Sequence, residues 1–274
     1  MAPSNGRLLI FGLGYTASAV AARLDGWQVS ATGSAGDLDF EDDTSVTAAI
    51  GNATHILSSV PPAEDDPVLT QYGDRFGDRW LGYLSSTGVY GDTGGAWVDE
   101  SAPIKGRREP RNRADADWRA MGARVFRLPG IYGPGRSPLD RVAAGAAHRT
   151  GIAGQVFSRI HVDDLARGVI AGFDAPPGAY NLADDLPAPQ DSVVEFASML
   201  LGIEPPAIVP LEALSPAARA FHAENRRVAN GKAKRVLGWC PIYADYLLGL
   251  RALNAMTSPA PASTAPAIAN PDQR

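Results

Sequence analysis

The sequence has a single cysteine, Cys240, in 274 residues, so no internal disulfide can form. No C-x-x-C pair or His/Cys cluster at ligand spacing points to a metal. No apolar run approaches the roughly 20 residues that span a bilayer, and the N-terminal residues lack the apolar stretch of a secretory signal. The expectation is a cytoplasmic protein with no membrane contact. Cationic excess is missing too: 25 Lys and Arg against 30 Asp and Glu give a net charge of -5. The arginine pairs Arg107-Arg108 and Arg226-Arg227 are too short to make a nucleic-acid footprint, so nucleic acid is not an expected partner. The chain does have 45% hydrophobic residues and enough length to bury one large core, with or without a small added lobe.

The organising stretch lies near the N-terminus. An apolar run over residues 8–11 meets Gly12 and Gly14 and passes into an Ala-rich segment of helical periodicity. Strand, tight turn and helix in that order, with Ala17 in place of a third glycine, form a G-x-G-x-x-A dinucleotide fingerprint. Glycine lets the backbone turn sharply and approach a pyrophosphate, and the first helical N–H groups face the anion. Gly12, Gly14, Tyr15, Thr16 and Ala17 are the cofactor residues this predicts.

A second strand over 27–32 ends at Gly33 and Ser34, where such folds inspect the adenosine ribose. No carboxylate stands there to repel a 2′-phosphate, which favours NADP. Asp37 and Asp39 nearby keep NAD open. Only three residues separate this strand from Asp37-Leu38-Asp39-Phe40, whereas a parallel crossover takes a dozen or more. That piece is therefore either a minimal edge strand or a loop, and Asp39 and Phe40 lie beside an open adenine side. Asp43 or Thr44 caps a helix over 45–50. The strand over 55–60 delivers Ser58, Ser59 and Val60 to the carboxyl end of the sheet, where ligands of open α/β sheets bind. A helix starts at Asp66-Pro67, and a strand over 80–86 opens into Thr87-Gly88-Val89-Tyr90-Gly91.

Four motifs in order, Gly14-Tyr15, residues 85–91 (SSTGVYG), residues 127–135 (RLPGIYGPG) and residues 160–164 (IHVDD), resemble the NAD(P)-dependent epimerase/dehydratase family, the extended branch of the short-chain dehydrogenase/reductases. The resemblance covers most of residues 7–250. It implies an α/β fold, a Rossmann-type doubly wound parallel sheet with a small C-terminal α/β substrate lobe. The Rossmann core falls mainly in 1–132, the lobe in 133–253 interleaved with the core, and a Pro/Ala-rich disordered tail in 254–274.

In that family the residue at the Ser86 position hydrogen-bonds the reacting substrate oxygen, and a tyrosine assisted by a lysine four residues later moves the proton. An unassisted phenol, with a pKa of about 10, is a poor base at neutral pH. The pair is missing: no tyrosine lies between Tyr90 and Tyr132, and by spacing Arg111 and Asp115 fill the two positions. The chain resembles an atypical member.

The catalytic candidates are then Ser86 and Thr87 as hydrogen-bond donors and Tyr90 as a substitute acid. Arg111, which as a guanidinium cannot act as a base, is a substrate-binding candidate together with Tyr132, His161 and Arg226; a hydrogen-bonded structural role at the entry to a helix is the other reading of His161. The resemblance places Pro129 and Ile131 beside the nicotinamide. Asp163 or Asp164 is expected to cap the helix after His161, and Asp140 to begin a short helix running to His148. The implied function is an NAD(P)(H)-dependent oxidoreductase or epimerase/dehydratase-like enzyme acting on a small polar carbonyl or sugar-like substrate, with a non-standard proton donor and a homodimer as its assembly. The alternative is a redox-inactive dinucleotide-binding sensor or scaffold.

Overall fold

The computed structural model describes residues 6–257. Its first half alternates β1 (Arg7–Phe11), α1 (Tyr15–Ala21), β2 (Gln28–Ala31), α2 (Asp43–Asn52), β3 (His55–Ser58), α3 (Pro67–Tyr72) and β4 (Trp80–Ser86). A short β5 (Trp97–Val98) precedes α4 (Glu109–Ala120), β6 (Arg124–Leu128), β7 (Gly130–Tyr132), α5 (Pro138–Ala143), β8 (Arg159–His161) and α6 (Val162–Ala171). Then follow β9 (Gly178–Asn181), α7 (Gln190–Leu201), α8 (Pro216–His222), β10 (Arg227–Val228), α9 (Gly231–Leu237) and α10 (Tyr246–Thr257).

The main sheet is parallel, with order β2-β1-β3-β4-β6-β9. Both its faces are buried, which is why β1, β3, β4 and β6 read as near-continuous apolar runs. On one face Leu8, Ile10 and Leu84 pack on Ala17 and Val20 of α1 and on Leu165 and Val169 of α6. On the other, Leu9, Phe11, Leu81 and Tyr83 pack on α2, α3 and α4 through Val46, Tyr72 and Trp118. A third cluster joins Leu139, Val193, Val194, Leu250 and Leu253 and forms the lobe from α5, α7 and α10. Two small sheets, β7-β8 and β10-β5, tie the lobe to the core.

The expected gap after β2 is present. Leu38 meets Thr32 in one isolated parallel bridge, so the third strand of a standard Rossmann half is reduced to a single contact, with no crossover helix. The Asp42 carboxylate caps α2 by accepting from Ser45 N, one residue earlier than expected. Asp66 caps α3, accepting from Val68 and Leu69 N–H, and also takes the Trp118 indole N–H at 2.9 Å, which locks α4 onto α3. Helix α5 starts at Pro138, before Asp140, because Ser137 and Asp140 form a reciprocal capping box. It ends at Ala143, short of His148. Helix α10 runs to Thr257, so residues 254–257 of the expected tail are helical. Residues 258–274 lie outside the described residues. Among the described residues no helix is long and apolar enough to cross a membrane.

Candidate functional site

Gly12 holds φ +85°, a conformation that disfavours any side chain. A Cβ there would lie 3.0 Å from Val60 Cγ2 and 3.2 Å from Ser59 Oγ. Thr32 clips the turn to β2: its Oγ1 accepts from Gly12 N–H at 3.1 Å and its carbonyl from Leu13 N–H at 2.8 Å. Gly14 N–H donates to Gly12 O at 2.9 Å. The turn thus consumes its own donors and leaves the N–H groups of Tyr15, Thr16 and Ala17, at the start of α1, without partners among the described residues. A Cβ on Gly14 would meet nothing within 4 Å. Open space beside three free donors is the cradle that a pyrophosphate needs.

Around this turn Ser59 Oγ donates to Gly12 O, and Val60 packs on Gly12. Ser58 is fully buried and its hydroxyl accepts from Val60 N–H at 3.4 Å, so it closes the strand end and is withdrawn from the site. Phe40 is withdrawn as well: its ring lies edge-on to Phe11 and Tyr72, centroids 6.2 and 5.4 Å apart, and joins the core. Gly33, at φ +105°, allows β2 to approach Leu13 N. Ser34 is exposed, with no hydrogen bond among the described residues. Both nearby acids are turned to backbone, Asp37 accepting from Ala31 N–H at 2.6 Å and Asp39 from Glu41 N–H at 3.1 Å.

A cavity of about 1140 Å³ opens beyond the ends of β4 and β6 and brings together Ser86, Thr87, Arg111, Pro129, Ile131, Tyr132 and Arg226. Ser86 ends β4, and its Oγ accepts from Gly88 N–H at 3.1 Å, which leaves the hydroxyl hydrogen free to donate. Tyr132 forms wall only: its hydroxyl is buried against α10, where a Cβ on Gly249 would lie 2.0 Å from it, and burial raises its pKa. Arg226 donates to Gly91 O at 2.8 Å and to Glu224 at 2.5 Å.

Tyr90 is not at the cavity. Its hydroxyl is buried, donates to Asn181 Oδ1 at 2.7 Å and accepts from Arg127 Nη1 at 3.0 Å, and desolvation raises its pKa. It is therefore no substitute acid. His161 is corrected likewise. It is 1% exposed and is itself the N-cap of α6, its Nδ1 accepting from Asp163 N–H at 3.2 Å. Burial lowers its pKa. Neither Asp163 nor Asp164 is the cap: Asp163 pairs with Arg23, and the buried Asp164 carboxylate accepts from Ile242 and Tyr243 N–H. Among the described residues no three His, Cys, Asp or Glu side chains are grouped to hold a metal ion.

No family model and no curated protein matches this sequence. Solved structures do. A conserved protein of unknown function from Silicibacter pomeroyi shares 39% identity over 92% of this chain and 99% of its own, with a TM-score of 0.81. The chain belongs to that protein's family, and its fold is that of the extended short-chain dehydrogenase/reductases. A UDP-glucose 4-epimerase from Thermotoga maritima, solved with UDP-glucose, matches 92% of this chain and 99% of its own at 15% identity and TM-score 0.72. The human epimerase family protein SDR39U1, solved with NADPH, matches 90% and 99% at 15% identity and TM-score 0.71.

Helix α4 carries Arg111 and Asp115, the two positions that spacing from Ser86 singles out. Asp115 is fully buried; its carboxylate accepts from Arg127 Nε at 3.0 Å, Arg127 Nη2 at 2.7 Å and Ser85 Oγ at 2.7 Å. One turn earlier, half-buried Arg111 lines the cavity, and its guanidinium has no hydrogen bond or ion pair among the described residues.

The sequence did not single out Arg136, which lies over the Tyr15 ring with its guanidinium carbon 5.6 Å from the centroid, while Tyr15 OH donates to Pro134 O at 3.2 Å. The 133–136 loop is thereby laid between the glycine turn and the cavity. His222 lines the cavity too; its Nδ1 sits 2.8 Å from Gln155 Oε1, and Gln155 Nε2 donates to His222 O at 2.6 Å. The amide oxygen can only accept, so the imidazole proton is on Nδ1 and Nε2 offers a lone pair. Burial, with His148 nearby, lowers the His222 pKa. None of these contacts has a local sequence signal, because each joins residues far apart in the chain.

Proposed function

We propose that the protein is an NAD(P)(H)-dependent oxidoreductase or epimerase/dehydratase-like enzyme acting on a small polar carbonyl or sugar-like substrate, with NADP as its cofactor. The observation that carries this is Ser86: a serine at the carboxyl end of β4, its acceptor side held by Gly88 N–H and its hydrogen free, lining a large cavity that the 133–136 loop joins to the open glycine cradle. The free N–H groups of Tyr15, Thr16 and Ala17 hold the dinucleotide's phosphates. The exposed Ser34, with Asp37 and Asp39 turned away, accommodates a 2′-phosphate. NADPH in the human structure and UDP-glucose in the Thermotoga one support a dinucleotide beside a small polar ligand. The bound nicotinamide supplies hydride exchange with a carbonyl carbon.

On this chain, Ser86 orients the substrate oxygen by donating to it, and Pro129 and Ile131 wall the space above the sheet. The proton donor is water or a group other than tyrosine; in the oxidising direction the Nε2 lone pair of His222, on the cavity wall, is an acceptor for the released proton. The replacement of the tyrosine and lysine supports a second reading, a dinucleotide-binding sensor or scaffold that transfers no hydride. A panel of carbonyl compounds with NADPH separates the two. Turnover by the wild type that falls by a factor of about 10² in Ser86→Ala, with NADPH affinity unchanged, is expected of the enzyme; absence of turnover across the panel favours the sensor.

A further inference from the structure

The cavity has a charge opposite to that of the whole chain. Seven arginines line it and only two acids, Asp140 and Glu224, in a protein whose net charge is -5. Most of these arginines are engaged. Arg107 and Arg226 share Glu224, at 2.7 and 2.5 Å. Arg159 donates to Phe157 O, Ala188 O and Gln190 Oε1. Arg141 donates to Ala146 O, and Arg136 lies over Tyr15. The acids are engaged as well, Asp140 in the capping box of α5 and Glu224 between its two arginines.

Arg108 and Arg111 remain. Arg108 is exposed at the start of α4, whereas Arg111 is half-buried and lines the same cavity as Ser86, Thr87 and Gly88. The carboxylate one helical turn away cannot neutralise it, because both oxygens of Asp115 are taken by Arg127 and Ser85. An unneutralised guanidinium in a partly desolvated wall presents a planar fork of donors that matches an oxyanion.

We infer that Arg111 is an oxyanion-binding residue and that the ligand of this cavity carries a carboxylate or phosphate group close to the oxygen that Ser86 addresses. The position that elsewhere in the fold moves a proton here holds a negative charge. The ligand is thereby anchored at its reacting end, and neutral polar compounds of the same size bind weakly. This rests on the reading of the cavity as the substrate site.

The test uses full-length protein and two probes, oxalate and inorganic phosphate, titrated calorimetrically with and without saturating NADPH, and oxamide as the neutral counterpart of oxalate. Saturable binding of one oxyanion, weakened about tenfold or more in Arg111→Gln, less in Arg111→Lys, and unchanged in Arg119→Gln on the exposed face of α4, is the expected result. The tighter of the two probes identifies the anion class. Oxalate and phosphate affinities that are equal in wild type and Arg111→Gln, or oxamide binding as well as oxalate, would overturn the assignment. Folding of each variant is checked by circular dichroism, and Arg111→Lys keeps the test decisive should Arg111→Gln unfold. Failure of NADPH to bind, with Arg111-dependent oxalate binding retained, would remove the proposed cofactor and leave the anion site. NADPH binding with oxyanion binding indifferent to Arg111 would do the reverse.

Discussion

Asp115 grips Arg127 with both carboxylate oxygens, at 2.7 and 3.0 Å, inside a core that leaves neither side chain more than 1% exposed. Asp115 is a structural pin between α4 and β6. Removing one partner of a buried pair strands the other charge, so Asp115→Ala is expected to cost about 3–5 kcal/mol of stability. The double variant Arg111→Tyr/Asp115→Lys sets a lysine against Arg127 and is expected to unfold well below the wild-type midpoint. Denaturant titration followed by tryptophan fluorescence measures both. A double variant as stable as the wild type would show that the pin is dispensable.

Tyr90 belongs to the same network through Arg127 and Asn181. Loss of its hydroxyl leaves two buried polar groups short of a partner, and Tyr90→Phe is expected to lose about 1–3 kcal/mol while keeping NADPH affinity. A Tyr90→Phe protein of unchanged stability and no turnover would return the tyrosine to the chemistry.

The two glycines of the turn are expected to respond differently. Gly12→Ala meets a positive φ and close contacts from Val60 and Ser59, a conformational cost of about 1–2 kcal/mol. Gly14 has φ -96°, ordinary for any residue, and open space around its missing Cβ. Gly14→Val should melt like the wild type and fail to bind the dinucleotide. Thermal melts paired with NADPH titrations distinguish the two, and a Gly14→Val variant that binds normally would show that the phosphates lie elsewhere.

His55 sets an acid limit. It packs among Trp27, Trp80 and Phe173, and burial, aided by Arg124, pushes its imidazole down to about 4. The unfolded chain takes up a proton at about 6.5, the folded chain only near 4. The contribution of His55 is therefore complete above the first value and is lost as the pH falls through the second. Melting midpoints measured between pH 7 and pH 4 should fall more steeply for the wild type than for His55→Gln, and parallel curves would contradict the assignment.

How much of this was legible in the sequence depended on range. The glycine turn, the strands ending at Phe11 and Ser86, and the missing crossover after Thr32 are local patterns and were read from periodicity and spacing, while the strand expected over 55–60 stops at Ser58. Spacing from Ser86 singled out Arg111 and Asp115, but the contacts of Asp115 were not legible. Whether Asp115 faces a cofactor or Arg127 depends on β6 lying beside β4, a contact no local rule supplies. Tyr90 and His161 stood as site candidates for one reason: a polar side chain in a motif looks the same whether its partner is a ligand or a neighbouring element; of the two readings of His161, the structure shows the structural one, at the entry to α6. Arg136 gave no signal at all, since its place over Tyr15 exists only once the 133–136 loop crosses the turn.

The measurement that bears most directly on the account is a fluorescence titration of cofactor-free protein with NADPH and with NADH, run beside Gly14→Val. Saturable binding that prefers NADPH and disappears in a folded Gly14→Val protein is the expected result. No binding of either dinucleotide by folded wild-type protein would contradict it and leave the glycine turn as a purely structural feature of the fold.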